Sequence, residues 1–332
     1  MNAKKVIIDC DPGIDDALAL MLALSLPNIE VIGITIVCGN VPVEKGANNA
    51  LTVLNWLNRL DIPVYLGSKK PLNRTYIDAM DTHGVDGLGE SGFLPPNNQT
   101  IHHDAVSYLL HTLASEKEVS ILALGPLTNL AKAIQRDKET FSRVQEIVSM
   151  GGTYKAHGNC SPVAEYNYWC DPDAAAIVYE TFSTDPLFTN KLIHMIGLDV
   201  TRKIVLTPNL LEYMKRIHPE MGDIIEKITR FYFDFHWNQE GIIGCVINDP
   251  LAVAYFADRS LCQGFSAYTA VETTGLGIGQ TIVDAYDIWK KSKNSHILTK
   301  VDVHQFMELF LCRVVRATKE QVAFFLKEGL IA

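Results

Sequence analysis

The sequence predicts a single α/β domain in which a mostly parallel sheet is covered by helices on both faces. Runs rich in Val and Ile alternate with longer amphipathic segments over residues 6–196, the pattern of repeated strand–helix–strand units. Parallel strands need crossover connections, which these helices supply. The chain contains no recognisable linker, internal repeat or low-complexity segment. We therefore expect one domain over residues 1–332.

The individual elements follow from this alternation. The continuous apolar, β-branched runs predict buried strands, and the amphipathic segments between them predict helices. The polar stretches 71–100 and 151–173 are predicted to be loops, and loops this long in a compact domain are commonly functional. Strands are predicted at 6–9, 31–37, 64–66, 120–123, 146–150, 191–196, 280–284 and 297–303, and helical segments at 15–26, 43–60, 127–135, 208–256 and from His304 onward.

Composition argues against several classes of partner. The net charge of -9 leaves little scope for the strongly basic face that nucleic-acid polymers or anionic membranes require. The longest apolar stretches, such as residues 17–26, are shorter than the roughly 20 residues that span a bilayer. No signal peptide precedes the first strand, so we expect a cytoplasmic protein. The seven cysteines form no C-x-x-C pair and are predicted to be reduced, buried thiols.

Four carboxylates crowd the turn between the first strand and the first helix. Asp9, Asp11, Asp15 and Asp16 lie within eight residues, at the strand end where open α/β sheets bind ligands. Helix capping accounts for one such carboxylate, not for four. A hard divalent cation such as calcium or magnesium would relieve their mutual repulsion. The turn therefore predicts a metal site.

A phosphatase of the haloacid dehalogenase type also begins with an Asp-x-Asp turn. That pattern has a Thr shortly after the second Asp, whereas Pro12 and Gly13 follow here. No Gly-rich loop with a Lys is present to receive a phosphate. The sequence therefore disfavours a phosphatase.

The acidic turn is similar to the signature of the inosine-uridine-preferring nucleoside hydrolase family. The signature reads Asp-x-Asp-Pro-Gly-x-Asp-Asp after the first strand, and further blocks match in order as far as Pro250. These matching blocks are Asp9-Cys10-Asp11-Pro12-Gly13-Ile14-Asp15-Asp16, Val37-Cys38-Gly39-Asn40, Met150-Gly151-Gly152, Asn159, Val163-Ala164-Glu165-Tyr166-Asn167 and Asn248-Asp249-Pro250.

The resemblance implies a nucleoside hydrolase fold with one calcium ion per chain and hydrolysis of ribonucleosides to ribose and free base. Asp11 would be both a calcium ligand and the general base that activates a metal-bound water, while Asn40 would brace the cluster. A homodimer or homotetramer is also implied. The other implied metal ligands are Asp16, Asp249 and the main-chain carbonyl of Leu124.

The resemblance also implies a ribose-binding set. Asp15 would hold the ribose hydroxyls, and amide and carboxylate side chains are suited to the same task. A cation-like sugar forms during glycosidic cleavage, so the departing base must also be made a better leaving group. The other expected substrate-binding residues are Met150, Asn159, Glu165, Asn167, Tyr232 and Asn248.

One position departs from the family pattern. Many relatives have a His before the metal-binding Asp, where it is thought to protonate the leaving base, but this chain has Asn248. An amide cannot transfer a proton at neutral pH. His236, in an aromatic helical segment, and His83, in the loop that matches a substrate flap, are the candidate replacements.

Two alternatives stay open beside a common ribonucleoside hydrolase. One alternative is a hydrolase of an unusual riboside, which the change at Asn248 favours. The other is a riboside-binding protein without turnover. Asp11, Asp15, Asp16 and Asp249 are all present, which favours catalysis. Purine or pyrimidine preference depends on the shape of the pocket and stays open.

Overall fold

A ten-stranded sheet runs through the whole molecule and confirms the predicted α/β class. The computed structural model describes residues 3–327; the first two and last five residues of the predicted domain lie outside this range. The strands are β1 Lys4–Cys10, β2 Ile29–Ile36, β3 Val64–Leu66, β4 Ile101–His103, β5 Ser120–Ala123, β6 Ile147–Met150, β7 Ile193–Ile196, β8 Val205–Leu206, β9 Cys245–Val246, β10 Cys262–Val271, β11 Thr281–Asp284 and β12 Ser295–Val301.

The strand order is β11-β10-β12-β7-β6-β5-β1-β2-β3-β4. From β12 to β4 every neighbouring pair is parallel, whereas β10 is antiparallel to both β11 and β12. β8 and β9 form a separate antiparallel pair. The sheet is therefore mostly parallel, as predicted, with an antiparallel edge that the sequence pattern did not reveal.

Helices connect the parallel strands and flank the sheet. The helices are α1 Ile14–Ser25, α2 Val43–Trp56, α3 Met80–His83, α4 Ala105–Ser115, α5 Thr128–Arg136, α6 Lys138–Phe141, α7 Tyr166–Cys170, α8 Pro172–Thr184, α9 Leu198–Thr201, α10 Pro208–Ile217, α11 Pro219–Glu240, α12 Asp249–Ala257, α13 Val303–Val314 and α14 Lys319–Lys327. Among the described residues, no helix combines the length and apolarity needed to cross a membrane.

Two apolar cores lie on opposite faces of the sheet. In β1, the side chains of Val6 and Ile8 belong to one core and the side chain of Ile7 to the other, as the two-residue period of a strand requires. α1, α2, α11, α12 and α13 contribute to the first core, and α4, α5 and α8 to the second. Both faces are covered by helices, which confirms the predicted layers.

Several predicted boundaries were wrong for local reasons. The helix predicted at 43–60 ends at Trp56, and Asn58 then adopts a left-handed φ of 53°. The helical segment predicted at 208–256 is divided by Pro219 and by β9. The final helix begins at Val303 and is followed by the separate α14. Pattern reading also missed α4, α8 and β10.

Candidate active site

The carboxyl ends of four neighbouring parallel strands meet at one edge of the sheet, and polar groups follow them. Asp11 follows β1, Asn40 follows β2, the Leu124 carbonyl follows β5 and Met150 ends β6. The strands lie in the order β6-β5-β1-β2, so these four residues are brought side by side. This edge is where ligands bind in open α/β sheets.

Three carboxylates from two helix N-termini converge at this edge. Asp15 and Asp16 lie in the first turn of α1, and Asp249 is the first residue of α12. One carboxylate oxygen of each lies within 4.8 Å of the others, and all three residues are buried. The positive ends of the two helix dipoles offset part of the repulsion between them. Such a group of hard oxygen ligands can bind a divalent cation.

Asn40 and backbone amides join Asp11 to this cluster. The Asp11 N–H donates to Asp16 Oδ1 at 3.3 Å, and the Asn40 N–H donates to Asp11 Oδ2 at 2.6 Å. The Asn40 side-chain amide donates to Asp16 Oδ2 at 3.0 Å. Asn40 therefore donates hydrogen bonds to two carboxylates at once.

Burial makes these carboxylates costly to ionise. Burial, followed by the charge of Asp16, raises the pKa of Asp11 well above its usual value of 3.8. Burial, followed by the charge of Asp15, raises the pKa of Asp16 to about 7 and the pKa of Asp249 well above its usual value. A bound cation would offset both the desolvation and the repulsion.

An unpartnered oxygen indicates that the cluster fits a cation. Asp11 is fully buried, yet its Oδ1 has no hydrogen-bond partner among the described residues. An orphaned carboxylate oxygen in the interior is costly unless it has a ligand. The donor set consists of hard oxygens, which suit calcium or magnesium.

Glu165 caps α7 and shapes the loop that follows β6. Its carboxylate accepts hydrogen bonds from the backbone N–H groups of Gly152 and Asn167, both at 2.8 Å, and of Tyr168 at 3.3 Å. Burial raises the pKa of Glu165 to about 7. Glu165 is thus a positioned acid at the wall of the cavity.

Asn167 connects the ends of two central strands. Its amide donates to the carbonyl of Leu124 at 2.7 Å and to the carbonyl of Met150 at 3.2 Å. A carbonyl oxygen has two lone pairs, so the bond to Asn167 leaves one lone pair of Leu124 for another ligand. Asn159 is exposed at the cavity wall, where its Oδ1 accepts from the N–H of Tyr166 at 2.9 Å.

α11 faces the acidic cluster from across the cavity. The hydroxyl of Tyr232 donates to Asp15 Oδ2 at 3.4 Å, and the same oxygen accepts from the Asn248 side-chain amide at 3.1 Å. One turn later, His236 Nδ1 lies 2.9 Å from the carbonyl of Tyr232. Because a carbonyl only accepts hydrogen bonds, this nitrogen carries a proton. Burial lowers the pKa of His236.

His83 is buried rather than exposed, although it lies within the stretch predicted to be a loop. It ends the four-residue helix α3, and its Nδ1 accepts from the N–H of Ile14, in the first turn of α1, at 3.1 Å. A nitrogen that accepts a hydrogen bond is unprotonated, so the proton of the neutral ring lies on Nε2. Burial lowers the pKa of His83. The predicted loop 71–100, called the flap below, is therefore held against the acidic turn through His83.

These groups enclose one cavity of about 510 Å³, a volume within the range of small-molecule sites. The walls combine the acidic turn, the flap around His83 and the aromatic face of α11. The sequence-predicted residues that line the cavity are Asp15, Asn40, His83, Leu124, Met150, Asn159, Glu165, Asn167, Tyr232, His236, Asn248 and Asp249; Asp11 and Asp16 are fully buried.

Residues 6–308 match the family model described as inosine-uridine preferring nucleoside hydrolase. The chain belongs to this family. The match extends well beyond Pro250, where the recognisable sequence motifs end, and covers β10, β11 and β12. The resemblance drawn from the motifs is thereby confirmed.

The similar proteins include nucleoside hydrolases with different base preferences. The chain is 34% identical over 311 residues to the pyrimidine-specific ribonucleoside hydrolase RihB of Escherichia coli O1:K1, covering 93% of this chain and 96% of that protein. It resembles the structure of a purine-preferring ribonucleoside hydrolase from Gardnerella vaginalis with a TM-score of 0.86, 29% identity and coverage of 97% and 100%. An inosine-guanosine nucleoside hydrolase gives a TM-score of 0.83, 30% identity and coverage of 95% and 99%.

Two aromatic residues, Trp237 and Tyr166, are placed unfavourably for stacking on a base in the cavity. The side chain of Trp237 is 59% exposed and is not among the residues that line the cavity. The hydroxyl of Tyr166 is bonded to the carbonyls of Gly39 and Ile77 at 2.8 and 2.9 Å, so this ring braces the flap. Tyr232 lines the cavity, as expected.

Asp199 in α9 and Arg202, which follows this helix, organise the cavity and were not found from the sequence. Both carboxylate oxygens of Asp199 accept hydrogen bonds from backbone N–H groups of residues 154–156 at 2.6–3.0 Å. Arg202 pairs with Glu240 at the end of α11 at 3.2 Å, and also donates to the carbonyl of Gly158 at 3.2 Å. No local motif marks either residue, since their partners are about 40 residues away.

Replacing Gly39 tests the geometry of the acidic cluster. A Cβ at this position would collide with the carboxylate of Asp11. We expect calcium to raise the Tm of the wild type, and we expect Gly39→Ala to abolish this rise. Thermal unfolding with and without excess calcium measures this rise, because a ligand of the folded state raises Tm. Gly277→Ala, whose Cβ meets only flexible side chains, should keep the rise. An unchanged rise in Gly39→Ala would contradict the proposed position of the ion.

Proposed function

We propose that this chain hydrolyses the N-glycosidic bond of ribonucleosides in a calcium-dependent reaction that gives ribose and a free base. The observation that carries the proposal is the buried Asp11 carboxylate, with one oxygen unpartnered, beside the converging carboxylates of Asp15, Asp16 and Asp249. Membership of the nucleoside hydrolase family supports the same reaction.

Asp11, Asp16, Asp249 and the Leu124 carbonyl would hold the proposed ion. Calcium bound there would supply electrostatic activation, lowering the pKa of a nearby water molecule. The carboxylate of Asp11 takes the proton of the attacking water. Its place in the cluster, joined to Asp16 through its backbone N–H, puts it beside the proposed ion and so suits it to this role.

The proposed ribose contacts come from residues held rigidly by their own hydrogen bonds. Asp15 is fixed by Tyr232 and Asn248, while Glu165 and Asn167 are fixed by the strand-end backbone. Preorganised polar groups of this kind reject a sugar that lacks a hydroxyl, because the unpaired buried group costs about 1–3 kcal/mol. We therefore propose that the site selects ribosides over deoxyribosides.

The proposed activation of the leaving base involves His236 and His83. Both line the cavity, whereas Asn248 offers only an amide. With Nδ1 of His236 bonded to the Tyr232 carbonyl, the other ring nitrogen is the one that can take up a proton and donate it to the base. His83, whose Nε2 carries a proton in the neutral ring, donates a hydrogen bond there.

Ribose release decides the reaction class. We expect the purified protein to release ribose from at least one of inosine, uridine, cytidine and adenosine, with loss of release after calcium is chelated. Asp11→Asn should lower kcat by at least about 100-fold, since positioned proton transfer contributes roughly 10²–10⁴-fold. Asp61→Asn, which replaces an exposed acid paired with Arg59, is the control. Calcium binding without ribose release from any nucleoside would favour the riboside-binding alternative.

The pH dependence tests His236 as the proton donor. Because burial lowers the pKa of His236 below its usual 6.5, the protonated ring becomes scarcer as pH rises above that lowered pKa. We expect kcat/KM for a neutral nucleoside to fall by up to about tenfold per pH unit on this alkaline side.

In the variant His236→Asn, kcat/KM should no longer fall on the alkaline side. At the acidic end of the profile it should be lower than in the wild type by about 10²-fold or more. His111→Asn, an exposed residue of α4, should keep the wild-type profile. If kcat/KM of His236→Asn falls with rising pH as it does in the wild type, the assignment of His236 as the proton donor is wrong.

A further inference from the structure

The cavity carries an excess of negative charge. Six carboxylate residues line it, and Arg202 is the only Lys or Arg among the described residues that do so. Arg202 is already paired with Glu240 through both guanidinium Nη atoms, at 3.2 and 3.4 Å. A cation bound by Asp11, Asp16 and Asp249 would compensate the charge of this inner cluster alone. The outer carboxylates are the other acids that line the cavity, and except for Glu240 they would have no cationic partner in the described part of the chain.

Two of the outer carboxylates lie on the flap. Asp78 accepts from the backbone N–H of Met80 at 3.2 Å, and Asp81 accepts from the hydroxyl of Thr82 at 3.1 Å. Both donors are neutral groups, so neither bond cancels the charge of its carboxylate. The flap therefore presents negative charge to whatever occupies the cavity, and a clefted site focuses such a field.

The hydrogen-bonding groups near α11 add acceptors to this negative field. The amide nitrogen of Asn248 donates to Asp15, while its Oδ1 is buried and has no donor among the described residues. The Nδ1–H of His236 is used by the carbonyl of Tyr232, so Nε2 of the neutral ring is an acceptor. A base that brings positive charge or N–H donors complements this wall better than an electron-rich one.

Neither histidine is held in its charged form by the surrounding protein. His83 accepts from the N–H of Ile14 through Nδ1, which requires that nitrogen to be unprotonated. The charged groups facing His236 are Glu240 on its own helix, with Asp15 and Arg202 from other elements, and burial outweighs them. A neutral nucleoside needs a proton for its leaving base, and at neutral pH the wall has no charged ring to transfer one, since the Nε2–H of His83 only donates a hydrogen bond.

We propose that the preferred substrates of this cavity are ribosides whose base carries a positive charge at the pH of the reaction. The proposal rests on the proposed N-ribohydrolase function and specifies its substrate class. Charge complementarity favours binding of such a base, and its departure needs no proton donor, which fits an amide at position 248.

The reaction balances without any further reactant. The C1′–N bond breaks and its electron pair passes to the ring nitrogen, so the cationic base leaves as a neutral molecule. The oxygen of water bonds to C1′, and the proton that water loses passes to the carboxylate of Asp11 and then to solvent. The products are ribose, the neutral base and one proton. A neutral base in the same reaction would instead leave as an anion unless it were protonated.

Methylated nucleosides separate charge from size. 3-Methylcytidine is a cation at neutral pH, while 3-methyluridine carries a methyl group at the same ring position and is neutral. Their rates are compared with those of cytidine and uridine. We expect the kcat/KM ratio of 3-methylcytidine to cytidine to exceed that of 3-methyluridine to uridine by at least tenfold, after subtraction of the rates without enzyme.

A purine set covers the opposite base preference. 7-Methylguanosine carries positive charge in its imidazole ring at slightly acidic pH, and 1-methylguanosine is the neutral methylated control; both are compared with guanosine at pH 6.5. The cationic member of at least one set should be preferred by at least tenfold.

The outcomes separate this proposal from the proposed function. Hydrolysis of cytidine, uridine or guanosine with no preference for the charged partner in either set would overturn the proposal and leave N-ribohydrolase activity intact. No ribose from any compound in either set, or from inosine and adenosine, would overturn both. Hydrolysis of the charged compounds alone supports both.

The double variant Asp78→Asn/Asp81→Asn assigns the preference to the flap. It removes two negative charges and keeps side-chain acceptors for the bonds of Met80 and Thr82. We expect KM for the charged compound to rise at least threefold more than KM for its neutral counterpart. Asp234→Asn, an exposed acid of α11 that does not line the cavity, should leave both values unchanged. Equal effects on the charged and neutral compounds would overturn the electrostatic basis.

Discussion

The mutual repulsion of buried carboxylates at the strand ends governs the design of this site. Asp11, Asp16 and Asp249 are almost completely shielded from water, and burial raises the pKa of each of them. Two helix N-termini, three backbone N–H groups and the side chain of Asn40 stabilise their charged forms in part. The orphaned oxygen of Asp11 is what the proposed cation would satisfy, and its binding would then stabilise the folded state.

The cavity around this cluster is formed by segments that hold one another. The flap is fixed to α1 through His83, Asp199 fixes the loop after β6, and Arg202 ties that loop to the end of α11. Each of these contacts uses a group that is not part of the acidic cluster. The position of a base relative to the carboxylates therefore depends on a second layer of polar contacts, in which a small displacement can change rates strongly.

Asn248, at the position where the family pattern has a histidine, contributes both a donor and an acceptor to the cavity wall. The Asn248 amide fixes Asp15 through its nitrogen and leaves its oxygen as an acceptor. Together with the free Nε2 of the neutral His236 ring, it makes the wall near α11 rich in acceptors. The relatives compared above differ in the base preferences that their names state.

The sequence by itself determined the α/β class, the parallel core of the sheet and the acidic turn, because periodicity and the Asp-x-Asp-Pro-Gly-x-Asp-Asp motif are local properties. The motifs also singled out Asn40, Glu165, Asn167 and Asp249, and the structure brings these four residues to one cavity. Only the tertiary structure decided the antiparallel edge at β10, the burial of His83, the outward position of Trp237 and the roles of Asp199 and Arg202. Each of these depends on partners distant in the chain, and a pattern read along the sequence carries no information about the donor or acceptor that a fold brings opposite a side chain.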